Sequence, residues 1–152
     1  GSHVLTKWKV PDVNAETTLA KKSSLSVPWD NKSKYDELEK VSELHVTKNG
    51  HPVKLINDLE YVNGFIYANI WYQDIIIKID PNTGVVLSEL ELHDLYPKHT
   101  RTKTADCLNG IAYNETDSTF LLTGKLWPMY YKTKFYETSG DWAAGVNIDG
   151  MP

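Results

Sequence analysis

Lys125 is the residue of this sequence that packing explains least well. It stands between Gly124 and Leu126 in what reads as an apolar strand, and an inward ammonium is costly unless it is paired or put to use. Asn57 and Asn109 recur at corresponding places in two similar strings, Ile56-Asn57-Asp58-Leu59-Glu60-Tyr61 and Leu108-Asn109-Gly110-Ile111-Ala112-Tyr113. A lysine ammonium and an asparagine NH2 are both donors, suited to an oxygen that gains negative charge. Glu60 adds a carboxylate able to accept a proton or to pair with Lys125. Trp71 and Trp127 add flat apolar walls. Each residue also has a plainer reading. Asparagine commonly bonds its local backbone at turns, tryptophan commonly just packs, and Glu60 fits a solvated strand position.

Other chemistries find little support. The histidines at 45, 51, 93 and 99 lack the close spacing of metal ligands, and no metal or other cofactor is expected. Cys107 is the single cysteine, which rules out an internal disulfide and any multi-cysteine zinc site and reads as a buried structural thiol. The 152 residues carry 16 basic and 20 acidic side chains, a formal charge of −4. That balance offers no electrostatic footprint for nucleic acid. Lys98, Arg101 and Lys103 read as a solvated connection rather than a phosphate site. No apolar run approaches the roughly 18 residues of a spanning helix, so no membrane span is expected. At 41% hydrophobic and 24% charged residues, the chain suits one packed domain.

The elements that would position these residues are strands. Leu59 to Val62, then Asn63-Gly64, then Phe65 to Trp71 is a strong hairpin signal. Tyr72-Gln73 breaks the chain before Asp74 to Asp80, where apolar residues alternate at the period of a strand. Pro81-Asn82-Thr83-Gly84 is a turn leading to Val85–Leu92. These four strands form a meander. A second unit follows, with Asn57 and Asn109 offset by 109 − 57 = 52 and Trp71 and Trp127 by 127 − 71 = 56, the four extra residues falling in the loop Asn114 to Ser118. A repeat of about 50 residues built from a four-stranded antiparallel meander is the unit of a β-propeller blade. The second unit supplies Leu108–Tyr113, Thr119–Lys125 and Met129–Tyr136 and lacks a fourth strand, for which the alternating segment Val4 to Val10 is the candidate. Val41 to Val46 reads as the outer strand of a preceding blade, ended by Asn49-Gly50. A short helix after Ser33 is the competing reading before it. Residues 1–3 read as the remnant of a tag, 4–40 as an N-terminal segment, 41–136 as blades and 137–152 as a tail.

The strings LINDLEYVNGFIYANIW, IIIKIDPNTGVVL, DCLNGIAYN and LLTGKLWP resemble the plant and bacterial type of glutaminyl-peptide cyclotransferase, or glutaminyl cyclase. The resemblance runs from about Val41 to Phe135 and includes His45-Val46-Thr47, Asn49-Gly50 and Pro52-Val53. It implies a five-bladed β-propeller that turns N-terminal glutamine into pyroglutamate with release of ammonia, an acyl transfer that works without zinc. It implies that Asn57, Trp71 and Lys125 match the family's site asparagine, tryptophan and lysine. Glu60, Asn109 and Trp127 lie in the same motifs. On this basis Lys125, Asn57 and Glu60 are the catalytic candidates, and Trp71, Trp127 and Asn109 the substrate-binding ones. The family's acid–base glutamate belongs to an early blade, where Glu16 is the candidate. A secretory, vacuolar or periplasmic location is also implied, and Asn31-Lys32-Ser33 and Asn114-Glu115-Thr116 fit the glycosylation pattern.

Closed propellers use about four to eight blades, and 152 residues at roughly 40 to 50 per blade supply about three. The expectation is therefore an all-β domain of antiparallel meanders, incomplete against a five-bladed ring: part of a longer protein, a shortened relative with a different closure, or a fragment completed by a homo-oligomer or a complementary chain. The expected partners are N-terminal glutaminyl peptides. A propeller fragment that binds peptides or proteins without turnover is the alternative. An acid–base carboxylate within reach of both Lys125 and Asn57 separates the two.

Overall fold

A computed structural model describes residues 3–9, 39–137 and 142–145. The chain divides into two compact units, Gly1–Leu5 with Leu44–Pro152, and Thr6–Glu43. Most of β1 (Val4–Lys9) and β2 (Glu39–His45), which pair as a two-stranded sheet, belongs to the second. The Val4–Val10 segment is thus a strand over Val4–Lys9, but its partner is β2 rather than the second blade. Glu16 and the helix expected after Ser33 lie outside the described residues.

The first unit opens with β3 (Thr47–Lys48) and β4 (His51–Pro52), closed by Asn49 and Gly50 at φ 52° and 78°. Two four-stranded antiparallel meanders follow. The first is β5 (Ile56–Val62), β6 (Phe65–Ile70), β7 (Ile75–Ile79) and β8 (Val86–Glu91), paired in chain order. Asn63 and Gly64 take φ 49° and 85°, the left-handed pair of the tight turn that matches strand twist. In the β7–β8 turn the Asn82 backbone N–H and the Thr83 hydroxyl donate to Asp80, and these bonds hold its carboxyl below the ordinary value.

The second meander is β9 (Leu108–Asn114), β10 (Thr119–Gly124), β11 (Tyr131–Glu137) and β12 (Trp142–Gly145). Its fourth strand therefore comes from the stretch read as a tail. Three glycines and no alternation hid a four-residue strand whose formation depends on the waiting edge of β11. The repeat is real, but its register differs from the sequence alignment. Ile56 pairs with Ile70, and Leu108 with Gly124. The second strands are thus offset by 124 − 70 = 54, because the hairpin loop grows from two residues, 63–64, to four, 115–118. Trp71 therefore corresponds to Lys125, and Trp127 has no tryptophan counterpart.

Two cores hold the unit together. Tyr67, Ile76 and Leu90 of the first meander meet Leu108, Ile111, Phe120, Leu122 and Tyr131 of the second. The other face of the first meander buries Ala68, Ile70, Ile77 and Ile79 with Val46. With both faces of β7 covered, its sequence is a nearly continuous isoleucine run rather than a strict alternation. Gly124 is buried, and a Cβ there would lie well inside van der Waals contact of the Trp127 indole. Gly124→Ala is expected to cost about 1–3 kcal/mol by overpacking, measured by urea unfolding against the parent chain.

Candidate functional site

The two meanders meet along their first strands, and at one end of that seam the expected site residues collect. β5 and β9 are each the edge of a sheet. Such an edge leaves backbone groups to be satisfied from outside. Here side chains do so. The N–H of Ile111 donates to Asp58 Oδ2 at 3.0 Å and that of Tyr113 to Glu60 Oε1 at 3.0 Å. The Gly110 N–H donates to Asn69 Oδ1 at 3.2 Å.

Both first strands carry an irregularity at the same place. Four residues from Ile56 to Leu59 face three from Ala68 to Ile70, and four from Leu108 to Ile111 face three from Leu122 to Gly124. One extra residue on a strand bends it and re-aims side chains, a device common beside active sites. The residues in these bulges are Asn57-Asp58 and Asn109-Gly110. Asn57 donates its side-chain N–H to Asn109 Oδ1 across the seam. With no further partners among the described residues, one N–H of Asn57 and both of Asn109 stay available.

The second strands end in matching turns. Gln73 N–H donates to the Ile70 carbonyl at 3.0 Å, and Trp127 N–H to the Gly124 carbonyl at 3.2 Å. Tyr72 and Leu126 take φ 65° and 57° in these turns. Left-handed backbone is unfavourable for such bulky residues, and this kind of strain concentrates at functional sites. The first inner position of each turn is Trp71 or Lys125. Lys125 is thus half-buried in a turn just past β10, not on the strand. Its ammonium lies 4.6 Å from the centre of the Trp71 ring, within the range of a cation–π contact. Tyr72 is stacked on Trp71, with ring centres 4.4 Å apart. Among the described residues no carboxylate forms an ion pair with Lys125.

Asn57, Asn109, Trp71 and Lys125 therefore share one end of the seam. Trp71 N–H donates to the Leu55 carbonyl and Lys125 N–H to the Cys107 carbonyl, so Asn57 and Trp71 flank the Ile56–Ile70 pair diagonally, as Asn109 and Lys125 flank Leu108–Gly124. Glu60 and Trp127 stand apart. Glu60 lies three residues beyond Asn57, on the order of 10 Å along the strand at about 3.3 Å per residue. It fastens Tyr113. Trp127 is buried, donates Nε1–H to the Asp106 carbonyl at 2.8 Å, and makes edge contacts to Tyr96 and Tyr131 at 5.0 and 6.0 Å. It is a core residue because the turn at Lys125 folds it back over Gly124.

Asn69 was missed as a site residue. It is fully buried, and its Nδ2 and the Trp71 Nε1 are buried donors without a partner among the described residues. The available signal was one amide within the apolar run Phe65 to Trp71. Among the described residues no group of three or more His, Cys, Asp or Glu is placed to hold a metal ion.

Known proteins are similar to this chain. A glutaminyl-peptide cyclotransferase of Arabidopsis thaliana is 37% identical over 106 residues, 66% of this chain and 32% of the relative. The crystal structure of Myxococcus xanthus glutaminyl cyclase superposes with a TM-score of 0.58 at 34% identity, over 73% of this chain and 45% of that one. The chain thus spans about a third of the first and under half of the second. The sequence profile of glutamine cyclotransferases matches residues 31–135, so both bulged asparagines, the stacked tryptophan and the lysine fall inside it, and the chain belongs to the glutamine cyclotransferase family.

Proposed function

We propose that this chain converts N-terminal glutamine into pyroglutamate and releases ammonia. The observation that carries the reading is the Lys125 ammonium over the Trp71 ring, at the same end of the seam as the bonded pair Asn57–Asn109, in a member of this family. The α-amine of glutamine attacks its own side-chain amide carbon. A C–N bond closes the five-membered ring, the original amide C–N bond breaks, and the amine's proton ends on the departing nitrogen as ammonia.

The former amide oxygen becomes negative in the tetrahedral intermediate. Lys125 supplies a cation for it and Asn57 its remaining N–H, a form of stabilisation that removes a large part of such barriers. Trp71 walls the glutamine side chain, and Asn109 holds Asn57 in place, so the reactive conformer is selected rather than searched for. We assign Glu60 to joining β5 and β9, since one of its oxygens is already taken by Tyr113. We assign transfer of the amine's proton to Glu16, outside the described residues, since none of the described carboxylates pairs with Lys125; the amine's neutral fraction is already substantial near its ordinary pKa of about 7.7–8.0. The family resemblance further supports an acyl transfer that needs no zinc.

A coupled ammonia assay on this chain tests the reading. Ammonia from a glutaminyl dipeptide, and none from the same dipeptide acetylated at its α-amine, is the expected pair of results. No release from either refutes the activity.

We also propose that this chain associates with a second copy or a complementary chain. The described residues hold two four-stranded meanders, fewer than the roughly four blades of the smallest closed propellers. Light scattering during size exclusion is expected to give a mass above that of one chain. A compact monomer refutes this.

A further inference from the structure

A recess adjoins the lysine–tryptophan pair. It encloses about 410 Å³ between Tyr72 and the stretch from Lys98 to Cys107, a volume within the range of about 300–1,000 Å³ for ligand pockets. Its walls are tied to Lys125 by backbone bonds. Asp106 N–H donates to the Lys125 carbonyl at 2.8 Å, and Lys125 N–H to the Cys107 carbonyl at 3.0 Å. Tyr72, on the opposite wall, is the ring stacked on Trp71. A peptide whose first residue sits against Trp71 and Lys125 therefore has this recess as an adjoining path for the residues that follow.

The charges facing the recess are Lys98, Arg101, Lys103, Asp74 and Asp106. Arg101 and Asp74 are both buried and joined at 2.9 Å, so they cancel. Asp106 is left against two exposed lysines, Lys98 and Lys103. The recess is net cationic on a chain whose formal charge is −4. Resting on the activity proposed above, we infer that it receives the residues after the N-terminal glutamine and favours acidic side chains there. Exposed charges of this kind act mainly on encounter and are weakened by salt.

The test compares Gln-Glu-Glu-amide with Gln-Lys-Lys-amide on this chain. At low salt kcat/KM is expected to favour the acidic peptide about five- to tenfold, and the ratio to fall towards one in 0.5 M salt, where the screening length drops to about 4 Å. Lys98→Glu with Lys103→Glu is expected to reverse the preference, while Lys134→Glu, far along the sequence on β11, leaves it. Equal rates for the two peptides, or an unchanged preference in the double variant, overturn the inference. Should neither peptide release ammonia, the activity itself fails, and fluorescence anisotropy of the same two peptides decides the recess alone. Tighter binding of the acidic one supports it, and equal or reversed binding overturns it.

Discussion

Lys125→Ala is expected to lower ammonia release from a glutaminyl dipeptide by about 10²-fold or more while the chain stays folded. The size follows from removing a donor aimed at an oxygen that becomes negative only in the reaction. The folding half of the expectation follows from the surroundings. Lys125 is half-buried and its ammonium faces the Trp71 ring, with no ion pair among the described residues. Its loss therefore strands no buried carboxylate and forfeits about 0.5–1 kcal/mol of cation–π attraction. Lys125→Arg keeps the charge and should recover part of the rate. Steady-state kinetics with circular dichroism on each variant checks both halves. Unchanged turnover in the alanine variant removes Lys125 from the mechanism.

Arg101→Ala is expected to have the largest effect on stability. The guanidinium donates to Asp74 Oδ1 at 2.9 Å and to the Tyr96 carbonyl at 2.7 Å. Its carbon lies 4.9 Å from the Trp127 ring centre. The side chains of Arg101 and Asp74 are only 8% and 4% exposed. Truncating Arg101 leaves the buried Asp74 with only the exposed His93 ring, 3.7 Å from its Oδ2, and breaking a buried pair in this way costs about 3–5 kcal/mol. For a chain of this size that corresponds to a fall in Tm on the order of 10 °C. The double change Arg101→Met with Asp74→Leu should recover much of the loss, since apolar replacement of a whole buried pair is often close to neutral. Differential scanning calorimetry on the three proteins decides it. A fall of 2 °C or less in the single variant would show that the pair is not structurally important.

The first meander was legible because its signals are local. Asn63-Gly64 and Pro81 to Gly84 mark turns by backbone preference alone, and the strands between them are rich in β-branched and aromatic residues. The fourth strand of the second meander was not legible. Trp142–Gly145 has too little pattern of its own and gains its partner only when β11 is already in place. The repeat shows the same division. Its existence could be read from two asparagines at one spacing, but the matching of Trp71 to Lys125 depends on how a four-residue loop distributes its extra length.

By itself the sequence determined the first meander, the repeat, the family likeness and most of the candidate site, including Lys125, Trp71, Asn57 and Asn109. Turn chemistry and alternating burial act over a few residues, so they are written in order along the chain. Only the tertiary structure decided which of those side chains meet. It joined Asn57 to Asn109 and set Lys125 over Trp71, while it drew Glu60 into holding a neighbouring strand and Trp127 into the core. It also brought forward Asn69, which bridges to Gly110 from inside an apolar strand. Those outcomes turn on which edge faces which and on where a bulge redirects a side chain, and such geometry is settled by contacts some fifty residues apart rather than by any local pattern.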